Sequence, residues 1–172
     1  MDKQNNCLST WQVVVLAVVL LPLFMFFIPY WIRRFDVLMP FDFDFDAFKY
    51  CGAIIFLAAL SFCFYSIIFL IKRTGGIPID RVKGGAPQTL VTDGPYKFVR
   101  NPQQAGAIVM LLGLTIYFES VSILMYTIIV AVLSHIHVVF VEEKGLKKRF
   151  GIDYEHYCKD VPRWIPNHRK PL

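Results

Sequence analysis

The sequence predicts an all-α integral membrane protein with about four transmembrane segments, arranged as two spans followed by a helical hairpin. Hydrophobic residues make up 56% of the 172 residues, charged residues only 18%, and the mean hydropathy is +0.50. Soluble domains have about 45–50% apolar and about 25% charged residues. The chain also contains two long uncharged runs and a third apolar block. This composition excludes a disordered chain and argues against an ordinary soluble enzyme.

The two uncharged runs predict the first two spans. Residues 11–32 and residues 50–71 each provide 22 positions without a charged side chain. A transmembrane helix needs about 20 such residues. Neither run has the short core and small-residue cleavage site of a signal peptide, so we expect both to be retained. Pro22 and Pro29 should bend the first helix, which neighbouring helices can accommodate.

The third apolar block, residues 102–141, predicts a helical hairpin. Glu119-Ser120 breaks it into arms at 102–118 and 121–141, of 17 and 21 residues. At about 1.5 Å per residue the first arm reaches only about 25 Å, less than the roughly 30 Å hydrocarbon core. We therefore expect a tight turn and a first arm that is partly shielded by the other helices.

Basic residues indicate the orientation in the membrane. Six Lys and Arg residues lie in the loop 72–101 and eight in the tail from residue 142, whereas the loop 33–49 has three beside four aspartates. The positive-inside rule places the loop 72–101 and the tail in the cytoplasm. We expect a multi-pass protein of a bacterial inner membrane or an endoplasmic-reticulum-type membrane. It divides into a two-span region (1–71) and a core of loop, hairpin and tail (72–172).

Other classes of site have little support. The net charge of +5 suits anionic lipid head groups, and no basic face with interleaved aromatic residues indicates nucleic-acid binding. The cysteines, at 7, 51, 63 and 158, form no CxxC pair or close cluster, so no metal or redox dithiol site is expected. We interpret the FDFDFD run at 41–46 as an interfacial foot of the non-cytoplasmic loop rather than an acidic ligand site.

The start of the hairpin has the features of an anion site. Asn101 is a strong N-cap residue and Pro102 is favoured at the first helical position, so a helix should begin here. Free N–H groups and the positive end of the helix dipole suit a carboxylate or phosphate. Arg100 either adds a bidentate donor at this point or extends to the membrane surface without a ligand.

The end of the hairpin carries a group of titratable residues. His135 lies within the last span, where it either serves function or makes a hydrogen bond between helices. His137 is two residues further on, hence on nearly the opposite helix face, so the two should not share a metal. Glu142 and Glu143 oppose the helix dipole. They either begin a new helix or hold a cation, which is a tail Lys or Arg or a positively charged ligand.

The tail places aromatic side chains at helical spacing. Phe150, Tyr154 and Tyr157 predict one face of a short amphipathic helix, which ends at Val161-Pro162. This face either packs onto the membrane helices or forms an aromatic lid over a pocket. Trp164 suits the membrane interface.

Two segments together resemble the isoprenylcysteine carboxyl methyltransferases and their bacterial and phospholipid methyltransferase relatives. They read LVTDGPYKFVRNP and VEEKGLKKRFGIDYEHYCKDVPRWIP, and the resemblance covers about residues 88–166. It implies S-adenosylmethionine as methyl donor, bound on the cytoplasmic side between the hairpin and the tail. By position, it places the donor contacts at Gln88, Thr89, Leu90, Val91, Tyr96, Asn101, Pro102, Gln103, Gln104 and Glu142.

The resemblance also implies roles for these residues. The helix start would receive the methionine carboxylate, Glu142 the ammonium group or the ribose hydroxyls, and Tyr96 the adenine or the sulfonium. The family motif R-H-P-x-Y-x-G reads RNPQQAG here, so Gln104 stands in place of a tyrosine. Val138 stands where the eukaryotic enzymes have an arginine for the prenylcysteine carboxylate.

The activity implied is methyl transfer to a small lipophilic or membrane-embedded acceptor, with carboxyl O-methylation as the family default. The enzyme must align the acceptor behind the methyl group and exclude water. An amine or hydroxyl acceptor needs a base, for which Glu143 and His135 are the candidates; Arg100 completes the expected catalytic set. The alternatives are phosphatidylethanolamine-type N-methylation and, because of Gln104, a non-catalytic tetraspan interaction protein.

Overall fold

The computed structural model of the protein describes residues 23–38, 48–74 and 89–166. Within these ranges the chain is helical and contains no strand, as expected. π-Helical turns cover Leu23–Phe27 and Val138–Glu142, and 3₁₀ turns cover Arg33–Leu38 and Gly94–Lys97. The helices are α1 (Ile28–Ile32), α2 (Lys49–Thr74), α3 (Pro102–Phe118), α4 (Val121–His137), α5 (Glu143–Phe150) and α6 (Ile152–Asp160).

The predicted hairpin is formed by α3 and α4. α3 ends at Glu119, which adopts the left-handed conformation with φ 54°. Ser120 begins α4 by accepting a hydrogen bond from the N–H of Ile123 at 3.1 Å. Asp36 accepts a second one, from the N–H of Ser122 at 2.8 Å. Glu119 and Ser120, which interrupt the apolar pattern, therefore form the turn. The side chains of Ser120 and Asp36 satisfy the first N–H groups of α4.

Two glycines bring α2 and α3 into backbone contact. A Cβ atom at Gly52 would lie 2.5 Å from the backbone nitrogen of Tyr117, and one at Gly113 would lie 2.7 Å from that of Phe56. Lipid supplies no hydrophobic force between helices, so close packing of small residues is a main source of their association. A buried apolar cluster of α3 and α4 continues this packing, with Leu111, Leu114, Ile123 and Val130 at its centre.

Within the part of the chain that the structure describes, two helices are long and apolar enough to cross a membrane. They are Lys49–Thr74, which contains the predicted second span, and Val121–Phe150, in which α4 continues into α5. In the most apolar 18-residue stretch of each helix, only 17% (Lys49–Thr74) and 22% (Val121–Phe150) is buried, so most of the apolar side chains face outward. Such a surface requires lipid or a partner to cover it. α3 is the shorter apolar helix that was expected. Residues 11–22 of the predicted first span and the FDFDFD run lie outside the described residues.

The tail differs from prediction at one point. The single helix expected through Phe150 and Tyr157 is interrupted at Gly151, whose φ of +54° favours glycine, so the chain forms α5 and α6. Tyr154, Tyr157 and Val161 nevertheless form one buried cluster with Phe150 packed against it. α6 ends before Val161, as predicted. Residues 161–166, here called the strap, then cross the start of α3.

Candidate functional site

A cavity of about 410 Å³ lies where α2 ends, α3 begins and α4 passes into α5. Small-molecule sites have volumes of about 300–1,000 Å³. The segment before α3 and the first turn of α3 form one side of the cavity, and α5 forms the other. The lining residues are Leu70, Thr74, Thr89, Leu90, Val91, Tyr96, Arg100, Asn101, Gln103, Gln104, Val141, Glu142, Gly145, Leu146, Arg149, Phe150 and Tyr157.

Most of the residues expected to bind the donor lie around this one cavity. Arg100 of the expected catalytic set lines it too. Pro102 is buried at the first position of α3 without lining the cavity, and Gln88 lies outside the described residues. The cavity-lining members of the set are Thr89, Leu90, Val91, Tyr96, Asn101, Gln103, Gln104 and Glu142.

The first turn of α3 is not capped by the side chain that precedes it. Asn101 was expected as an N-cap, but its side chain makes no capping hydrogen bond. Its amide nitrogen donates instead to the carbonyl oxygen of Arg163 in the strap, at 3.3 Å. The N–H groups of Gln103 and Gln104 are therefore not capped by Asn101, and both residues line the cavity. A helix start in this state suits a carboxylate.

Gln104 holds the Glu142 carboxylate. Its amide nitrogen donates to the two carboxylate oxygens of Glu142 at 3.0 and 3.2 Å. His137 Nδ1 lies 3.5 Å from one oxygen of the same carboxylate. The side chain that replaces the family tyrosine thus fixes the one carboxylate among the described cavity-lining residues. A fixed carboxylate is suited to an ammonium group or to sugar hydroxyls.

Glu143 lies behind the cavity wall and is engaged by two arginines. The Arg163 guanidinium donates to its two oxygens at 2.6 and 2.9 Å, and Arg100 Nη1 lies 3.1 Å from one of them. Arg100 Nη1 also donates to Cys158 Sγ at 2.6 Å. The hydrogen bond to Glu143 raises the pKa of Arg163 above its ordinary value, so the guanidinium group stays charged. Glu143 thus fulfils both alternatives that the sequence left open: it begins a new helix, α5, and it holds a basic residue of the tail.

His135, the other candidate base, lies outside the cavity lining. Its Nδ1 accepts a hydrogen bond from the indole nitrogen of Trp164 at 3.1 Å. This contact holds the strap against α4. Among the described residues, no three His, Cys, Asp or Glu side chains are grouped as a metal site would require.

The buried Tyr157 forms part of the cavity wall, with the buried Tyr154 packed beside it. Tyr157 donates from its hydroxyl to the backbone carbonyl of Tyr96 at 2.6 Å. Tyr154 packs beside Tyr157, with ring centroids 6.2 Å apart. Burial raises the pKa of both phenols, so they remain protonated at neutral pH. The aromatic stripe of the tail therefore packs against the body and also walls the pocket.

Sequence reasoning missed the part of the cavity that α5 supplies. Gly145, Leu146 and Arg149 line it together with Glu142. Their positions are three, four and seven residues after Glu142, a single helix face that the sequence could have revealed. It also missed Arg163, whose role depends on contacts with residues 20 and 62 positions away.

A sequence model of the phospholipid methyltransferase family matches residues 48–153, which is more than half of the chain. The chain belongs to this family. The match begins at α2 and includes α3, α4, α5 and the start of α6. No curated protein and no solved structure matches the chain significantly. Family membership and the outward-facing apolar helices together identify a membrane methyltransferase.

Removing the Gln104 amide should weaken the donor site. Gln104→Leu has a similar size but no hydrogen-bond donor, so Glu142 loses its fixed position. We expect the Kd for S-adenosylmethionine to rise about tenfold, the usual effect of one charge-assisted hydrogen bond. Gln104→Glu should bind more weakly still, because it faces Glu142 with a like charge. Titration calorimetry measures both, and unchanged affinity in Gln104→Leu would contradict this role.

Proposed function

We propose that this methyltransferase takes its methyl group from S-adenosylmethionine and transfers it to a lipophilic acceptor that arrives from the bilayer. One observation carries the proposal. Eight of the ten residues expected to bind the donor, which extend from Thr89 to Glu142 in the sequence, line a single cavity of about 410 Å³. The cavity lies beside helices that are long and apolar enough for the membrane.

The chemistry of the wall fits the donor. When bound, S-adenosylmethionine supplies a methyl group already activated by its sulfonium charge. The uncapped start of α3 suits the carboxylate of the donor, and Glu142 suits its ammonium group or ribose hydroxyls. Tyr96 and Tyr157 provide aromatic surface, which favours a cation or a purine ring. The chain's own task is to bind, orient and exclude water.

The wall between α2 and the end of α4 suits a lipophilic acceptor. Leu70 and Val141 line the cavity on this side, and Val141 is 58% exposed on the outer surface of its helix. An acyl or prenyl chain beside these helices would place its polar end at the cavity. With the positive-inside orientation, this end of the bundle faces the cytoplasm, where the water-soluble donor is available.

A carboxylate is the acceptor that the described residues suit best. It is a nucleophile without losing a proton, so it needs no base. Glu143 and His135 lie outside the cavity lining, and Glu143 is held by two guanidinium groups. Arg100, by contrast, is a cation on the wall. Carboxyl O-methylation is therefore the activity that we favour. In this proposal Glu143 is a structural residue and not a catalytic base.

Phospholipid N-methylation is the second candidate, and the family match is what favours it. An amine acceptor must lose a proton before transfer. Glu142 is the carboxylate among the described cavity-lining residues that could accept this proton, and His137, which does not line the cavity, lies 3.5 Å from it. Loss of this proton predicts a rate that rises with pH, which O-methylation of a carboxylate does not require.

Methyl-labelled S-adenosylmethionine and a total lipid extract separate these activities. The purified protein in detergent should transfer label to the lipid fraction. Mild alkali then releases label as methanol if the product is a methyl ester, whereas an N-methyl group resists alkali. A folded protein that binds the donor and labels no lipid would contradict the proposed function and favour the non-catalytic interaction protein.

A further inference from the structure

We propose that Arg163 is a positioning residue of the donor site, which acts through Glu143 on Arg100. Arg163 lies in the strap, beyond the end of the family match at residue 153, and does not line the cavity. The inference rests on the proposed function, because the site that it organises is the donor cavity.

The three side chains form one partly buried charge network. The carboxylate of Glu143 is shared, with Arg163 bound to both oxygens at 2.6 and 2.9 Å and Arg100 at 3.1 Å from one of them. Side-chain exposure is 30% for Arg163, 17% for Glu143 and 10% for Arg100. Removing Arg163 leaves Arg100 and Glu143 as a pair, but the carboxylate loses the bidentate contact that orients it.

The backbone fixes Arg163 at the start of α3. The N–H of Arg100 donates to the carbonyl oxygen of Pro162 at 2.9 Å, and the Asn101 side chain donates to that of Arg163 at 3.3 Å. The strap is therefore tied to the two residues that precede α3, both of which line the cavity. Arg163 links this segment to Glu143, the first residue of α5, which follows the cavity-lining Glu142.

The consequence for the donor concerns where the Arg100 guanidinium lies. Its Nη1 is held by Glu143 and Cys158, while its buried Nε has no hydrogen-bond partner. Arg100 shares the cavity with Glu142, the carboxylate assigned to the donor. If Arg163 is lost, the Glu143 carboxylate is no longer held in one orientation and moves together with Arg100, so Arg100 loses its fixed place on the cavity wall. An unrestrained Arg100 then competes for Glu142 and weakens donor binding.

A double-mutant cycle tests this coupling through the Kd for S-adenosylmethionine. Arg163→Gln should raise the Kd about tenfold in the wild-type background but less than about twofold in Arg100→Gln, since coupled residues act non-additively. Arg163→Lys keeps the charge with one donor group and should retain part of the affinity. Lys148→Gln removes an exposed charge that does not line the cavity, and serves as the control.

The outcomes are distinct. An equal loss in both backgrounds, or no loss in either, overturns the positioning role while leaving the proposed function intact. A wild-type protein that is folded and binds no donor overturns both. If Arg163→Gln does not fold in detergent, the same cycle with Arg163→Lys decides, because a loss that persists in Arg100→Gln shows that Arg163 does not act through Arg100.

Discussion

Glu142→Ala should weaken donor binding severely while the protein remains folded. Glu142 is the carboxylate among the described cavity-lining residues, and Gln104 fixes it with hydrogen bonds of 3.0 and 3.2 Å. Removing the charged partner of a ligand ammonium or ribose hydroxyl group typically costs about 1.5–3 kcal/mol, so we expect the Kd to rise by about 10- to 150-fold. Calorimetric titration with S-adenosylmethionine in detergent measures the effect.

A conservative variant of Glu142 and a control variant at another glutamate show whether the effect is specific to the Glu142 carboxylate. Glu142→Gln keeps the size and one acceptor oxygen, so it should lie between the wild type and the alanine variant. Glu155→Ala removes an exposed carboxylate of α6 that is paired with Lys147 at 2.7 Å. Exposed ion pairs contribute little, so this control should bind the donor normally. Affinity in Glu142→Ala within twofold of the wild type would remove Glu142 from the site.

The second large effect is expected on stability, at the contact of α2 with α3. In Gly52→Ala the new Cβ would meet the Tyr117 nitrogen at 2.5 Å and the Gly113 oxygen at 2.6 Å, both backbone atoms. Backbone cannot turn aside as a side chain does, so the helices must separate. Overpacking of this kind costs about 1–3 kcal/mol or more. We expect a clear fall in the temperature at which the protein unfolds in detergent.

Gly145→Ala provides the matched control. A Cβ at Gly145, in α5, would meet nothing within 4 Å. The same substitution there should leave the unfolding temperature unchanged or raise it, since alanine is favoured over glycine in a helix by up to about 1 kcal/mol. Equal effects of the two substitutions would show that the close approach of α2 and α3 does not hold the hairpin in place.

Local sequence signals predicted the hairpin well. α3 has the predicted bounds because Pro102 starts it and Glu119-Ser120 ends it, and both signals act within a few residues. The second span followed from hydropathy alone. The break at Gly151 was missed because the aromatic spacing across it is compatible with one continuous helix.

The candidate site could be predicted as a set of residues but not as a network. From the sequence, Gln104 indicated only that the family tyrosine was missing. Its hydrogen bond to Glu142 was not foreseen, because the two residues are 38 positions apart. Asn101 read as a cap, yet its amide is used by the strap, 62 residues away. Partners at such separation are set by the packing of the whole tail, which no local pattern encodes.

The central claim is that the cavity binds S-adenosylmethionine, and equilibrium binding to the purified, folded protein in detergent tests it most directly. We expect saturable binding at one site per chain with a Kd in about the micromolar range, as is common for enzyme substrates. Competition by S-adenosylhomocysteine should abolish it. The absence of binding in a sample that unfolds cooperatively on heating would contradict the account and leave the cavity without its assigned ligand.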